Sequence, residues 1–238
     1  MINFYLYYTI GRKVLMALSG FFLMFFLFQH LAINLTSIFP DNGKTFNSIS
    51  HFMGTNAIVQ FILQPILIFG FMFHLLMGMI LDFQNKKSTQ VKYSYNKNAN
   101  STWMSRNMII TGVMIFLFLI LHFIDFWIPE ITIKYIEGDR SGFHQGTNDY
   151  RYFYDIRLKF VHLWRVILYV LSFIFLSLHL LHGFQSAFQS VGFRSTKYTP
   201  IIKKISYAYG VLIPLGFIVV AIYHYIYNLV HPLSSIVH

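Results

Sequence analysis

Four histidines in long apolar runs are the residues of this chain whose type and spacing point most directly to chemistry. They are His30, His74, His122 and His179, each late in its run. An ionisable side chain within a membrane is costly and usually serves a function. Counted along a helix, they lie ~24, ~25, ~21 and ~28 Å from the start of their runs. Because successive helices alternate in direction, His30 and His122 are predicted at one level, and His74 and His179 at another.

Two imidazoles that face each other across a helix bundle form the ligand set of a six-coordinate haem b. The neutral ring nitrogen binds the iron, and no covalent link is needed. A single histidine of this kind is more simply explained by a hydrogen bond to a neighbour, but four at two matched levels favour two haem b groups. His182 competes with His179 as a ligand, and helical depth does not separate these two.

A glycine follows two of the candidate ligands at the same spacing, in His74-Leu-Leu-Met-Gly78 and His179-Leu-Leu-His-Gly183. A glycine one turn beyond a ligand lets a flat macrocycle approach the backbone. Small residues also allow membrane helices to pack closely, which is an equally good explanation. Gly78 and Gly183 are therefore candidate cofactor-binding residues with a packing alternative.

Five apolar runs long enough to span a bilayer, which needs about 20 residues, position these histidines. They cover residues 14–35, 57–81, 108–128, 160–188 and 205–230. Among the 238 residues, 56% are hydrophobic and only 11% charged, against roughly 25% charged in soluble domains. The sequence thus predicts an all-α, polytopic membrane bundle of five transmembrane helices, a single membrane domain over residues 1–238 that encloses two stacked b-type haems.

The charges predict an orientation. Most basic residues precede the first helix, fill the connection 85–101, or follow the fourth helix, whereas most acids lie on the other side. Because basic loops stay in the cytoplasm, the N-terminus is predicted cytoplasmic and the C-terminus outside. His74 and His179 then lie on the inner side, His30 and His122 on the outer side. The net charge of +10 follows from this bias, and no nucleic-acid partner is expected.

Polar residues are few within the predicted helices, and most lie in the outer half. A quinone head group needs an apolar slot with a few hydrogen-bond donors, so the quinone-site candidates are Arg165, Gln64, Gln60, Asp125 and Asn34. Arg165 has two alternatives, a haem propionate or the membrane surface. Near the inner level, Ser19 is a candidate partner for propionates, together with the cations Arg12, Lys13, Lys86 and Arg194.

An ordered set of motifs resembles a known family. Lys13-Val-Leu-Met-Ala-Leu-Ser-Gly20 and Gln29-His30-Leu-Ala-Ile-Asn34 are similar to the first helix of the two-haem cytochrome b anchor of succinate:quinone oxidoreductases. The similarity is to the single-chain, five-helix, menaquinone type. The two H-x-x-x-G motifs resemble its second and fourth helices, the latter with Val191-Gly192. Trp103-Met-Ser-Arg-Asn-Met108, leading to His122, resembles its third.

This resemblance, which extends from about residue 11 to 230, implies a role and partners. Its register makes His179 the ligand rather than His182. It implies a flavoprotein subunit with FAD and an iron–sulfur subunit on the cytoplasmic face. Electrons would reach menaquinone through the inner and then the outer haem, with no succinate site on this chain. Some fumarate-reducing relatives carry a glutamate just before the fourth-helix ligand, where Ser177 and Leu178 stand here, and this departure favours succinate oxidation.

Two alternatives remain at this stage. One is the di-haem anchor of another respiratory oxidoreductase, of the nitrate reductase or hydrogenase type, which shares the chemistry and differs in the docked partner. The other is a haem-free membrane transporter, for which inverted repeats and broken helices are typical.

Overall fold

The computed structural model describes residues 2–88, 107–144, 148–193 and 195–233. Most of the connection 85–101, Trp103, the side chain of Lys86, and Arg194 lie outside what is described. In the described chain we number seven helices, with α1 at Ile2–Leu35, α2 at Lys44–Thr55, α3 at Gln64–Ser88, α4 at Met108–His122, α5 at Tyr152–Lys159, α6 at Leu163–Ser190 and α7 at Thr199–Val230.

Five segments are long and apolar enough to cross a membrane, as predicted. They are Ile10–Ile38, Val59–Gln84, Met108–Ile136, Leu163–Ser190 and Thr199–Val230. The described residues contain no β-strand, only one antiparallel bridge between Phe143 and Tyr150. The chain is therefore a multi-pass, all-α membrane protein.

The helices extend beyond the apolar runs that predicted them. The third span was expected to end at residue 128, but α4 continues through a wide π-helical turn at Phe123–Trp127 and onward to Ile136. A similar turn at Val59–Leu63 precedes α3. The π-helical turns at Val59–Leu63 and Phe123–Trp127 each lie just before a proline, Pro65 or Pro129, and a third at Thr132–Ile136 follows Pro129. Local π-helical turns re-satisfy the carbonyls that a proline leaves without a donor, which explains why neither helix ends there.

Helices α1, α3, α4 and α6 form an antiparallel four-helix bundle. Each contacts its neighbours in the order α1, α3, α4, α6 and back to α1. Helices α1 and α4 therefore occupy one diagonal, and α3 and α6 the other. The two helices on a diagonal run in the same direction, so residues at equal depth on them face each other through the bundle axis.

Helix α7 packs outside this bundle, mainly along α6, through small residues. A Cβ on Gly210 would lie only 3.1 Å from the backbone nitrogen of Leu181. Pro214 lies within α7 and cannot donate to the carbonyl four residues before it, that of Gly210. The hydroxyl of Ser177 on α6 donates to this carbonyl at 2.7 Å. Ser177 thus replaces the hydrogen bond that Pro214 removes and holds α7 against α6.

The end of the bundle where α1 finishes is covered by α2 and α5, and we call it the cap end; the opposite end is the amino-terminal end. The connection over residues 129–159 includes α5, and α2 lies in the connection between the first two spans. Asn47 joins the two helices, because its amide donates to the carbonyl of Tyr150 at 2.8 Å and accepts from the Phe153 backbone at 2.7 Å. Gly43 precedes α2 with φ of 78° and lies directly against the Phe153 ring.

Apolar packing is unequal along the bundle. Towards the cap end, eleven buried residues form one large cluster around Phe160, Tyr169, Phe173 and Phe217. Towards the amino-terminal end, the buried cluster consists of Met24, Leu180 and Phe184. The two predicted histidine levels therefore lie in different surroundings.

Candidate functional site

His74 on α3 and His179 on α6 face each other across one diagonal. Their ring centres are 6.4 Å apart, with the ring planes at 70°. It is His179 whose ring lies against that of His74, while His182 is three residues further along α6. His179 and His182 lie at similar depths along α6, so depth does not distinguish them. In the tertiary structure it is the ring of His179 that faces His74.

A hydroxyl group contacts each ring of this pair. Ser19 Oγ is 3.0 Å from Nδ1 of His74, and Thr111 Oγ1 is 3.1 Å from Nδ1 of His179. Both hydroxyls donate to a carbonyl of their own helix, that of Met16 at 2.8 Å and that of Met108 at 2.9 Å. A hydroxyl has one proton to donate, so each accepts from the ring. This arrangement favours, in both histidines, the tautomer with the proton on Nδ1, which leaves Nε2 with a free lone pair.

The neighbouring glycines repeat the same pattern. A Cβ on Gly20 would lie 3.5 Å from Cε1 of His74, and one on Gly112 would lie 3.8 Å from Cε1 of His179. Gly78 and Gly183, predicted beside a macrocycle, instead lie against methionine methyls at 3.4 and 3.2 Å from where a Cβ would be. These contacts correspond to the helix-packing alternative, and a macrocycle contact at Gly78 and Gly183 stays a prediction.

His30 on α1 and His122 on α4 form the second pair, across the other diagonal. Their ring centres are 5.8 Å apart at 85°. Aromatic rings surround them, with Phe26 and Phe217 within 5.4 and 5.7 Å of His30. Nδ1 of His122 is buried and has no hydrogen-bond partner among the described residues. This pair is positioned mainly by packing, with the Asn34 amide 3.5 Å from Nε2 of His30, whereas a hydroxyl group contacts each ring of the His74–His179 pair.

In each histidine pair, the distance between the two ring centres suits one metal ion bound between the rings. Two metal–imidazole bonds of about 2 Å, plus roughly 1 Å from each nitrogen to its ring centre, separate the ring centres by about 6 Å. The described residues contain no group of three or more His, Cys, Asp or Glu able to hold a bare metal ion. A metal at either pair would therefore take its other ligands from elsewhere, as haem iron does from its macrocycle. The free Nε2 atoms of His74 and His179 agree with this ligand chemistry.

Two of the quinone-site candidates are engaged with each other. Asp125 is 2% exposed and accepts from Arg165 at 3.1 Å and from the Tyr169 hydroxyl at 2.8 Å. Nε of Arg165 remains buried without a partner among the described residues. Asp125 lies in the π-helical turn that begins directly after His122. This buried ion pair therefore joins α4 to α6 immediately beyond the His30–His122 pair.

The other candidates lie at different distances from that pair. The amide of Asn34 donates to the carbonyl of His30 at 2.8 Å and lies 3.5 Å from its Nε2. Gln60 donates to the carbonyl of Met53 at 2.8 Å, which ties the turn before α3 to α2. Gln64 begins α3 and is partly buried. Among the described contacts of the five candidates, that of Asn34 is with a histidine ring. Ser19, predicted to bind a propionate, contacts His74.

A second polar network holds the cap end together. Glu130 pairs with both Lys134 and Arg151, and Arg151 also binds Asp155 at 2.8 Å. Burial lowers the pKa of Arg151, but hydrogen bonds and charge from Glu130 and Asp155 outweigh it and raise that pKa overall. Burial raises the pKa of Asp155 above its usual range, although Arg151 opposes the shift. These ion pairs fix α5 to the end of the third span.

Two further histidines are embedded among other side chains. His51 stacks on Tyr150 with ring centres 4.1 Å apart. His224 is fully buried, and its Nε2 lies 2.9 Å from the hydroxyl of Ser37. Both belong to the packing of the cap end, at a distance from the two histidine pairs along the chain.

The sequence contained a signal that would have found the hydroxyl groups. Residues 16–30 of α1 and 108–122 of α4 align without a gap, with identical Met16/Met108, Gly20/Gly112, Phe26/Phe118, Leu27/Leu119 and His30/His122, and with Ser19 opposite Thr111. The H-x-x-x-G motifs of α3 and α6 form the second half of the same repeat. The helix pair α1–α3 thus corresponds to α4–α6, related by a half turn about the bundle axis. Thr111, Gly20 and Gly112 follow from this repeat.

The function of this chain is inferred from its own sequence and structure, because comparison with known proteins finds no match. No protein-family model, curated protein or solved structure matches this chain.

Proposed function

We propose that this chain is the di-haem cytochrome b membrane anchor of a succinate dehydrogenase. The proposal is supported by two facing histidines on each diagonal of the four-helix bundle. The ring centres are 6.4 Å apart in the His74–His179 pair and 5.8 Å apart in the His30–His122 pair. Their separation suits axial ligation of one iron each. Other membrane proteins also bind haem through such histidine pairs. The resemblance of the sequence motifs to succinate:quinone oxidoreductase anchors supports the assignment to a succinate dehydrogenase.

His74 and His179 are the proposed ligands of an inner haem b, and His30 and His122 those of an outer haem b. When bound, haem supplies reversible one-electron chemistry, which amino-acid side chains lack. The chain supplies ligands in the correct tautomer, because Ser19 and Thr111 hold the protons of His74 and His179 on Nδ1. It also excludes water, since both pairs lie within apolar helices.

The proposed setting is the bacterial cytoplasmic membrane, with the amino-terminal end facing the cytoplasm. The distribution of basic residues supports this orientation. A flavoprotein subunit with FAD and an iron–sulfur subunit would dock at that end, near the His74–His179 pair. This chain has no cysteine, so the iron–sulfur clusters must be held by a partner. Menaquinone would accept electrons at the opposite end.

The proposed quinone site is beside the His30–His122 pair. Asn34 places an amide next to the ring of His30, and an amide can donate to a quinone oxygen that gains negative charge on reduction. Arg165 and Asp125 lie just beyond, already paired with each other. They therefore contribute a fixed dipole and hold α4 against α6, while Gln60 and Gln64 line the approach along α3.

The experiment that tests the proposal starts from the chain purified from membranes in mild detergent. A reduced-minus-oxidised spectrum should show b-type bands, and haem extraction should give two haems per chain. Absence of haem would instead support a transporter and overturn the proposal. Subunits that copurify should oxidise succinate, whereas partners that reduce nitrate or oxidise hydrogen would assign the anchor to a different oxidoreductase.

A variant tests the quinone part separately. Arg165→Leu should slow menaquinone reduction by the complex, while succinate oxidation with an artificial soluble acceptor stays normal. An equal fall of both activities would mean that Arg165 has only a structural role. A quinone analogue found beside His74 and His179 would contradict the outer site.

A further inference from the structure

The two hydroxyl groups at the His74–His179 pair occupy equivalent positions in a duplicated unit. Ser19 on α1 faces a histidine of α3, and Thr111 on α4 faces a histidine of α6, at 3.0 and 3.1 Å. In both units the hydroxyl also donates to a methionine carbonyl three residues earlier. The same hydrogen-bond pattern therefore occurs at both positions of the repeat, and once more outside it at Ser37, which donates to the Asn34 carbonyl and lies 2.9 Å from Nε2 of His224.

The duplication makes an accidental contact an unsatisfactory explanation. A serine or threonine in a helix commonly bonds the carbonyl of the preceding turn, and this alone needs no histidine. Thr36 of the segment after α1 does so with Ile33, and Ser172 of α6 with Leu168. At Ser19, Thr111 and Ser37 the hydroxyl oxygen also has a histidine ring nitrogen of another helix within hydrogen-bond distance. Ser19 and Thr111 differ from Ser37 in that they contact the two rings of one histidine pair.

The direction of the hydrogen bond has a chemical consequence. An imidazole that donates its N–H to an oxygen becomes a stronger electron donor through its other nitrogen. A stronger axial donor favours ferric over ferrous iron, and thereby lowers the reduction potential of a haem. His122 of the other pair lacks this contact, because its Nδ1 has no partner among the described residues.

We propose that Ser19 and Thr111 are a matched pair of positioning residues that fix the Nδ1–H tautomer of His74 and His179 and lower the reduction potential of the haem these histidines bind. This inference rests on the proposed function, since it requires haem at the pair. Ser19 and Thr111 touch the ligands and act through them, so their effect should be specific to one haem and nearly equal for the two residues.

The test is a redox titration of the purified complex, followed in the b-type absorption bands. His74→Ala first identifies which bands and which potential belong to this haem. Ser19→Ala and Thr111→Val should then each raise the potential of that haem, the double variant should raise it further, and the potential of the other haem should be unchanged. Ser172→Ala, which removes a hydroxyl of α6 that bonds its own helix, should leave both potentials unchanged.

Conservative exchanges separate positioning from simple packing. Ser19→Thr and Thr111→Ser keep the hydroxyl and should retain the wild-type potential. If Ser19→Ala loses this haem altogether, recovery of the haem in Ser19→Thr supports the role of the hydroxyl, and failure to recover it overturns the proposal. Two haems with unchanged potentials in Ser19→Ala and Thr111→Val overturn this inference alone, whereas a wild-type chain without haem overturns the proposed function and this inference together.

Discussion

The two histidine pairs of this bundle consist of the same residue type and are held in different ways. At the His74–His179 pair each ring has a hydroxyl partner, and the buried apolar cluster nearby is small. At the His30–His122 pair the rings lie among phenylalanines, next to the large core. Hydrogen bonds define the first pair and shape complementarity the second.

This difference suggests how a repeated helix pair can acquire two distinct sites. The repeat supplies identical ligands at both levels, because the helices of each diagonal are parallel. The surroundings then differ, because α2 and α5 cover one end of the bundle, where the large buried cluster lies. Directional contacts are needed where packing is sparse, whereas a dense aromatic shell restrains a ring without them.

The largest expected effect is the loss of a complete haem. His74→Ala and His179→Ala should each remove the same haem, and His30→Ala and His122→Ala the other one, because each iron needs both axial ligands. Haem content per chain and the difference spectrum measure this. His182→Ala is the matched control, since its ring does not face His74, and it should retain both haems. Loss of haem in His182→Ala with none lost in His179→Ala would reverse the ligand assignment.

The buried ion pair beyond His122 should contribute most to the stability of the cap half. Asp125→Leu removes the partner of Arg165 and the acceptor of Tyr169, and it should lower the free energy of unfolding by about 3–5 kcal/mol. Replacing both charges in Asp125→Leu/Arg165→Met should recover much of this loss, because no unpaired charge remains. Thermal unfolding in detergent, followed by circular dichroism, compares the two variants. Equal stability of the single and double variants would mean that burial of an unpaired arginine is not the cause.

The contact between Gly43 and Phe153 tests how tightly the cap is packed. Gly43 and Gly138 have the same φ of 78°, but only at Gly43 does a Cβ collide with a neighbour, the Phe153 ring at 2.2 Å. Gly138→Ala should cost about 1–2 kcal/mol from backbone strain alone, whereas Gly43→Ala should cost roughly 2–4 kcal/mol, since overpacking is added. The same unfolding measurement applies. If the two variants lose equal stability, the clash with Phe153 adds no free-energy cost, which would mean that α5 can move away from α2 freely.

The smallest effect concerns the contact between α6 and α7, two residues from His179. Ser177→Ala leaves the carbonyl of Gly210 without a donor, since Pro214 cannot supply one, and should cost about 1 kcal/mol in a membrane protein. Ser172→Ala removes a hydroxyl that bonds only its own helix and should be nearly neutral. Unfolding temperatures of the two variants decide this. Equal unfolding temperatures for Ser177→Ala and Ser172→Ala would indicate that another group donates a hydrogen bond to the Gly210 carbonyl.

The sequence by itself determined the membrane bundle and the pairing levels of the histidines. Five apolar runs fix five spans, because a bilayer demands about 20 apolar residues in helical conformation. Alternating direction and a constant rise per residue then fix the depth of each histidine, and the structure places His30 against His122 and His74 against His179. The positions of the helix ends were predicted less accurately, because π-helical turns allow the second and third spans to continue past prolines.

Only the tertiary structure decided which residues act on the histidines. Nothing local to Ser19 distinguishes a hydroxyl that faces a ring from one that bonds its own helix, because this depends on the rotation of α1 relative to α3. The register of the resemblance already implied His179 rather than His182, and the contact of its ring with His74 depends on the orientation of α6. The pairing of Arg165 with Asp125 depends likewise on the contact between α4 and α6. Composition and periodicity set the depth of a side chain in the membrane, whereas the azimuth of its helix, and so its partner, is set by packing between helices far apart in the chain.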